Sequence, residues 1–204
     1  MTSDSDVDLI KRCQNSTGAE FDEAYRQIFA LYQDRVYNTC FRVTGNANDA
    51  LDAAQETMVI IARRISSFAF RSKFSSWVYR IAINSAIDIR RKRIDAPRSG
   101  ISTVVGVADG AEMMQQAADE SPNIEPHQQL VANENQQLIQ SALTDMNPKF
   151  AAILVLRYIE GLSYDEISEA QDCSLGTVKS RLNRAHQSLR EFLESRGFDS
   201  TLLT

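Results

Sequence analysis

Apolar residues recur every three or four positions along most of this chain, the spacing of one helical face. Thr17-Gly18-Ala19-Glu20 has the spacing of a capping box. It would open a helix with Phe21, Tyr25, Ile28, Phe29, Tyr32, Val36, Cys40 and Val43 on one side and Gly45 past its end. Asn46 or Asn48 then caps a helix whose stripe is Leu51, Ala54, Met58, Ile61 and Ile65, and after a loop at 66–72 another helix runs over 74–93. The periodicity fails from Asp95, where Pro97, Pro122, small residues and acids surround an unmatched Ile101/Val104/Val105/Val107 cluster. This stretch is expected to be a tether, with at most a transient helical turn near 112–118. The pattern returns at Gln128 in a helix reaching Leu143. Asn147-Pro148 starts the next, with Ala151, Leu154, Val155 and Tyr158 apolar, and Gly161 ends it. Ser163-Tyr164-Asp165-Glu166 forms a second capping box, and Ser174 caps a last helix striped by Leu175, Val178, Leu182, Ala185, Leu189 and Phe192. No strand-like alternation occurs. The expected fold is all-α: two small helical domains, residues 1–94 and 128–204, joined by a flexible acidic linker over 95–127.

Charge divides the chain more sharply than its net value of −5 suggests. Residues 60–94 carry nine cations against Asp88 alone, whereas 95–140 carry seven acids against Arg98 alone. Between Ser174 and Arg190 stand Lys179, Arg181, Arg184 and Arg190 with no acid. Two separate basic segments in an acidic protein point to two contacts with a polyanion. No apolar run approaches the roughly 18 residues of a membrane span, and the acidic first six residues are the reverse of a signal peptide. Three isolated cysteines (Cys13, Cys40, Cys173) fit neither a disulfide framework nor a CxxC site, so a reducing, cytoplasmic location is expected. The two histidines, His127 in the linker and His186 on an exposed helix face, have no nucleophile or carboxylate at motif spacing. No enzyme chemistry, metal, cofactor or small-molecule substrate is therefore expected.

Two short helices joined by the tight Gln171-Asp172-Cys173 turn, the second basic, have the layout of a helix-turn-helix. On the second helix Gly176, Ser180, Asn183, Arg184 and Gln187 lie opposite the core stripe, flanked by Thr177, Lys179 and Arg181. Small residues allow close approach to DNA, and the cations can meet phosphates or guanine edges. The string from Ser174 to Ala185, preceded by Leu162-Ser163-Tyr164-Asp165-Glu166-Ile167, resembles region 4 of bacterial extracytoplasmic-function (ECF) sigma factors of RNA polymerase. Gln171 and Asp172 depart from the family's usual Leu-Gly turn. Asp tolerates a left-handed backbone, which leaves the packing at Gln171 as the open point.

The first half carries the same resemblance. Asp49-Ala50-Leu51-Asp52-Ala53-Ala54-Gln55-Glu56 is similar to the family's region 2.2. Phe70-Arg71-Ser72-Lys73-Phe74-Ser75-Ser76-Trp77-Val78-Tyr79-Arg80-Ile81-Ala82-Ile83-Asn84 is similar to its F-R-x-W-L-Y-R-I-A-x-N run. On a helix Trp77, Arg80, Asn84, Asp88 and Arg91 form a polar stripe holding the only tryptophan. Opening promoter DNA needs an aromatic wall, donors for an extruded base and cations along a single strand.

The resemblance implies that Asp49, Asp52, Gln55 and Glu56 bind core RNA polymerase. It implies that Phe70, Arg71, Lys73, Trp77, Arg80, Asn84 and Arg91 bind the −10 promoter element. Thr177, Lys179, Ser180, Arg181, Asn183 and Arg184 would bind the −35 element. It further implies an anti-sigma factor as partner, and the apolar side of the second domain docked on the polymerase flap. The alternative is a helix-turn-helix regulator that never serves as a sigma subunit, which leaves residues 49–94 unexplained.

Overall fold

The structure, a computed structural model, describes residues 4–95 and 126–197. All regular structure among them is helical: α1 (Asp4–Asn15), α2 (Ala19–Thr44), α3 (Ala47–Arg64), α4 (Phe74–Asp95), α5 (Pro126–Asp145), α6 (Pro148–Leu154), α7 (Tyr164–Ala170) and α8 (Leu175–Ser195). A 3₁₀ turn, Ile65–Ser67, follows α3, and a π turn, Val155–Ile159, extends α6. The linker expected between the domains lies outside the described residues, save that 95 closes α4 and 126–127 open α5.

Helices α1–α4 form one unit. α2 supplies Ile28, Tyr32, Val36, Cys40 and Val43, α3 supplies Ala50, Ala53, Ala54, Met58 and Ile61, and α4 supplies Phe74, Val78, Ile81, Ala82 and Ala86, all buried. Each large side chain so buried contributes about 1.5–3 kcal/mol. Two residues of the expected stripes lie outside: Phe29 of α2 is exposed, and so is Leu51, because the small Ala50 and Ala53 let α3 pack with a different face inward. Sequence periodicity passed over α1, which buries Leu9, Ile10 and Cys13. The box at Thr17–Glu20 does not form either. Gly18 itself stands at the N-cap with φ +60 and makes no side-chain cap bond. Asn46, by contrast, accepts from the Asp49 N–H, and Gly45 ends α2 at φ +66.

The second unit, α5–α8, follows its caps. The Asn147 side chain accepts from the Lys149 N–H ahead of Pro148. Both halves of the Ser163/Glu166 box are present, and the Ser174 hydroxyl accepts from the Thr177 N–H. Asp172 takes φ +47, the left-handed turn expected of it. Gln171 is half-buried, and its Oε1 accepts from Arg181 Nη1 at 2.8 Å. Two apolar expectations are corrected. Tyr158 is 64% exposed, since the wider π turn, with the Glu160 N–H bonded to the Val155 carbonyl, rotates it off the α6 face. Leu175, at the first position of α8, is also exposed, and the α8 core stripe is Val178, Leu182 and Ala185.

The two units touch. α2 and α4 lie against α5, α6 and α7, and one apolar core runs through both. Arg90, only 6% exposed, donates from Nη1 to the carbonyls of Val43 (2.8 Å) and Leu143 (3.1 Å), and from Nη2 to those of Thr144 (2.5 Å) and Met146 (2.6 Å). These carbonyls end α2 and α5, so one guanidinium satisfies two helix C-termini and complements both dipoles. Burial pulls the Arg90 pKa down, though not far enough to discharge an arginine. Gln140 donates to the Phe41 and Arg42 carbonyls, and the Thr39 hydroxyl to Glu160. A Cβ on Gly45 would stand 2.3 Å from Thr144 Oγ1.

Candidate nucleic-acid interface

Between α3 and α4 the chain passes through the 3₁₀ turn and a loop in which Phe70 adopts φ +55. Phe68 is buried beneath this loop, its ring 5.0 Å from Phe70, 5.3 Å from Phe74 and 5.3 Å from Trp77. Phe74 in turn meets Tyr32 edge-on at 5.4 Å. This stack holds Trp77 half-buried and leaves Phe70 41% exposed. Arg71 and Lys73 are exposed beside it, Arg80 is half-buried one turn on, and Asn84 and Arg91 continue the outward line of α4. The seven residues expected at the −10 element therefore share one surface. Tyr79 belongs to the core, and Arg90, one of the nine cations of the basic 60–94 segment, is committed to backbone carbonyls rather than to a polyanion.

Three of these cations meet acids. Lys73 Nζ lies 2.8 Å from Glu166 Oε1, Arg80 Nη2 lies 3.9 Å from Asp172 Oδ2, and Arg91 pairs with Asp88 on its own helix at 3.3 Å. Glu166 and Asp172 belong to the helix-turn-helix. Asp172, together with Glu169 and Ala170, walls a groove of about 400 Å³ whose other side is Phe68, Arg71, Trp77 and Arg80. Burial of Glu166 pushes its pKa up, but Lys73 and the Ser163 N–H and hydroxyl outweigh this and bring it down to about 2.

On α8, Lys179, Asn183 and Arg184 are exposed and make no hydrogen bond or ion pair among the described residues. Thr177 and Ser180 spend their hydroxyls locally, on Ser174 and on the Thr177 carbonyl. Arg181 is half-buried, held by Gln171 and 3.7 Å from Cys173 Sγ, so it braces the turn. On α3, Asp52, Gln55 and Glu56 are exposed beside the apolar Leu51 and Val59. Asp49 is half-buried and bonded to Arg93 at 2.8 Å. A fourth surface, on the apolar side of the second domain that the resemblance docks on the polymerase flap, is a groove of about 620 Å³ bounded by Ile139, Leu154, Val155, Tyr158 and Leu193. The Tyr158 hydroxyl meets His186 Nε2 at its edge, 2.8 Å away.

Known proteins carry both halves. Sigma-70 region 2 matches residues 28–94, and Sigma-70 region 4 matches 136–189. The ECF RNA polymerase sigma factor SigW of Bacillus subtilis is 35% identical over 172 residues, 84% of this chain and 89% of that protein. This chain belongs to the ECF sigma factors. Another relative, ECF sigma factor SigE of Mycolicibacterium smegmatis, is 34% identical over 85% of this chain and 61% of its own length. The fold matches that of CnrH, solved with the cytosolic domain of CnrY, at a TM-score of 0.63 and 19% identity, covering 94% of this chain and 99% of CnrH. Sigma factor RpoE of Bartonella quintana, solved with the anti-sigma factor NepR, gives 0.57 and 22%, covering 83% and 96%. As a sigma factor the chain serves transcription initiation by giving RNA polymerase its promoters, and a regulator that never acts as a sigma subunit is set aside by the region 2 match.

Proposed function

We propose that four surfaces divide the work of this sigma factor. The loop at 68–73 and the outward line of α4 hold the −10 strand: Phe70 and Trp77 supply the aromatic wall, Asn84 the donors and acceptor for an extruded base, and Arg71, Lys73, Arg80 and Arg91 the cations. Lys179, Asn183 and Arg184 on α8 read the −35 element, with Thr177 and Ser180 at its edge and Arg181 fixing the angle of the helix. Asp52, Gln55 and Glu56 meet core polymerase, with Asp49 ordering the start of α3. The apolar groove between α5, α6 and α8 receives the polymerase flap, and the acidic linker joins the two promoter contacts. The chain works in the cytoplasm, where the polymerase is, and carries out no catalysis of its own. An anti-sigma factor is its further partner, as NepR is for sigma factor RpoE of Bartonella quintana.

The observation that carries this reading is the propped aromatic stack, because it holds Trp77 half-buried and Phe70 exposed beside Arg71, Lys73 and Arg80, the ring faces and cations that a single strand requires. Purified chain with core polymerase should yield promoter-specific transcripts, and Asn84→Ala should lower open-complex formation by about tenfold or more while core binding stays within about twofold. Equal loss of both would remove the proposed role of Asn84.

A further inference from the structure

Gln14 lies on α1, outside the segment that matches region 2. Its single side-chain amide donates to two carbonyls of the turn that launches the aromatic loop, Ile65 at 3.0 Å and Phe68 at 2.8 Å. The Phe68 N–H already bonds to the same Ile65 carbonyl, so these contacts close the turn from outside. α1 is itself anchored by Leu9, Ile10 and Cys13 and by the Tyr32 hydroxyl, which reaches Asp6 at 3.2 Å. Phe68 is the ring against which Phe70, Phe74 and Trp77 all rest. We infer that Gln14 is a positioning residue for strand capture: it fixes the height of Phe68, and through it the wall that Phe70 and Trp77 offer to a base.

This rests on the −10 reading of that wall, and the test separates the two. Gln14→Met keeps length and volume but has no donor. Trp77 is the only tryptophan, so its emission reports the stack directly. Below the melting transition, the variant should show Trp77 more open to acrylamide quenching. It should bind a labelled 12-nucleotide single-stranded DNA of mixed sequence about five- to tenfold more weakly, with core-polymerase affinity unchanged. If Trp77→Ala weakens the oligonucleotide but Gln14→Met changes neither quenching nor affinity, the positioning role is wrong. If Trp77→Ala has no effect, the wall itself is wrong.

A second observation stands apart from Gln14: the same groove is walled by acids of the chain's own helix-turn-helix. Glu166 and Asp172 occupy the positions beside Lys73 and Arg80 that phosphates of a bound strand would take, and Arg90 locks the two units from behind. We propose that the free chain closes on itself, the helix-turn-helix acids standing in for DNA phosphate until a strand displaces them. The carboxylates of Glu169 and Asp165 lie on the same short helix and turn, so the local field is acidic. Glu166→Gln with Asp172→Asn removes both charges, yet Gln preserves the capping box and Asn tolerates the left-handed turn. In the full chain this double variant should bind the 12-nucleotide single strand about five- to tenfold more tightly at ~0.1 M salt, and solution scattering should give a larger radius of gyration for it and for Arg90→Leu than for the parent. Unchanged affinity, or a parent as extended as Arg90→Leu, overturns the closure. If Lys73→Gln with Arg80→Gln fails to weaken the strand, the −10 reading of those cations fails instead.

Discussion

The Glu166 carboxylate accepts from the Ser163 N–H at 2.8 Å, the Ser163 hydroxyl accepts from the Glu166 N–H at 3.2 Å, and the same carboxylate meets Lys73. The cap is local, three residues wide, and so was legible; so were Ser174, Asn147 and the left-handed Asp172. Lys73 lies more than ninety residues away and was not. Because the folded pKa of Glu166 falls from the usual 4.5 to about 2, its contribution is complete above pH 4.5 and is lost as pH falls towards 2. In acid melting experiments Glu166→Gln should therefore show a shallower loss of stability than the parent between about pH 4.5 and 2. Ser163→Ala should cost about 1 kcal/mol at neutral pH, read from thermal melting. Arg90 illustrates the opposite limit. In sequence it is one of four adjacent basic residues, and nothing local distinguishes it from Arg91, Lys92 or Arg93. Its partners are carbonyls 47 to 56 positions away, and only packing selects it for the interior.

At the scale of elements, periodicity located α2 through α8 because each has a long stripe or a strong cap. α1 is short and has its apolar residues at only three inward positions, so its existence depends on the groove offered by α2 and the 3₁₀ turn. Stripe assignment went astray where small residues carried the contact, as on α3, where alanines rather than Leu51 face inward. The outcome is a surface combining Leu51 and Val59 with Asp52, Gln55 and Glu56. Glu56→Lys should lower core-polymerase affinity by about tenfold or more, since like-charge placement at an interface costs several kcal/mol. An unchanged pull-down would move the interface elsewhere. On α8 the structure splits two arginines that sequence placed together. Arg184→Ala should weaken −35 binding by about 1–3 kcal/mol, concentrated at one base position. Arg181→Ala, which frees Gln171 and loosens the turn, should weaken all sequences alike and lower the melting temperature of the chain.

For the whole molecule, two helical units were readable from their separate patterns, but their contact was not. Beyond the shared apolar core it is made of helix-end carbonyls, a glycine backed by Thr144 and two cross-unit ion pairs, none of which leaves a periodic trace. Salt offers a way to see that contact in solution. A phosphate that meets a lysine or arginine releases a cation condensed on the strand, so affinity falls as salt rises. The chain's own ion pairs are screened and open more easily as salt rises, which offsets part of that fall. For single-stranded DNA each phosphate so neutralised adds about 0.7 to the steepness of log affinity against log salt. Lys73 and Arg80 are both ion-paired within the chain in the closed form. Removing Glu166 and Asp172 charge by Gln and Asn should therefore do more than tighten binding: it should steepen the salt slope, with the two lines converging as salt rises. A tighter variant with an unchanged slope would mean that the acids act by blocking access to the groove rather than by holding its cations. A variant unchanged in both would mean that the two units do not stay together in solution.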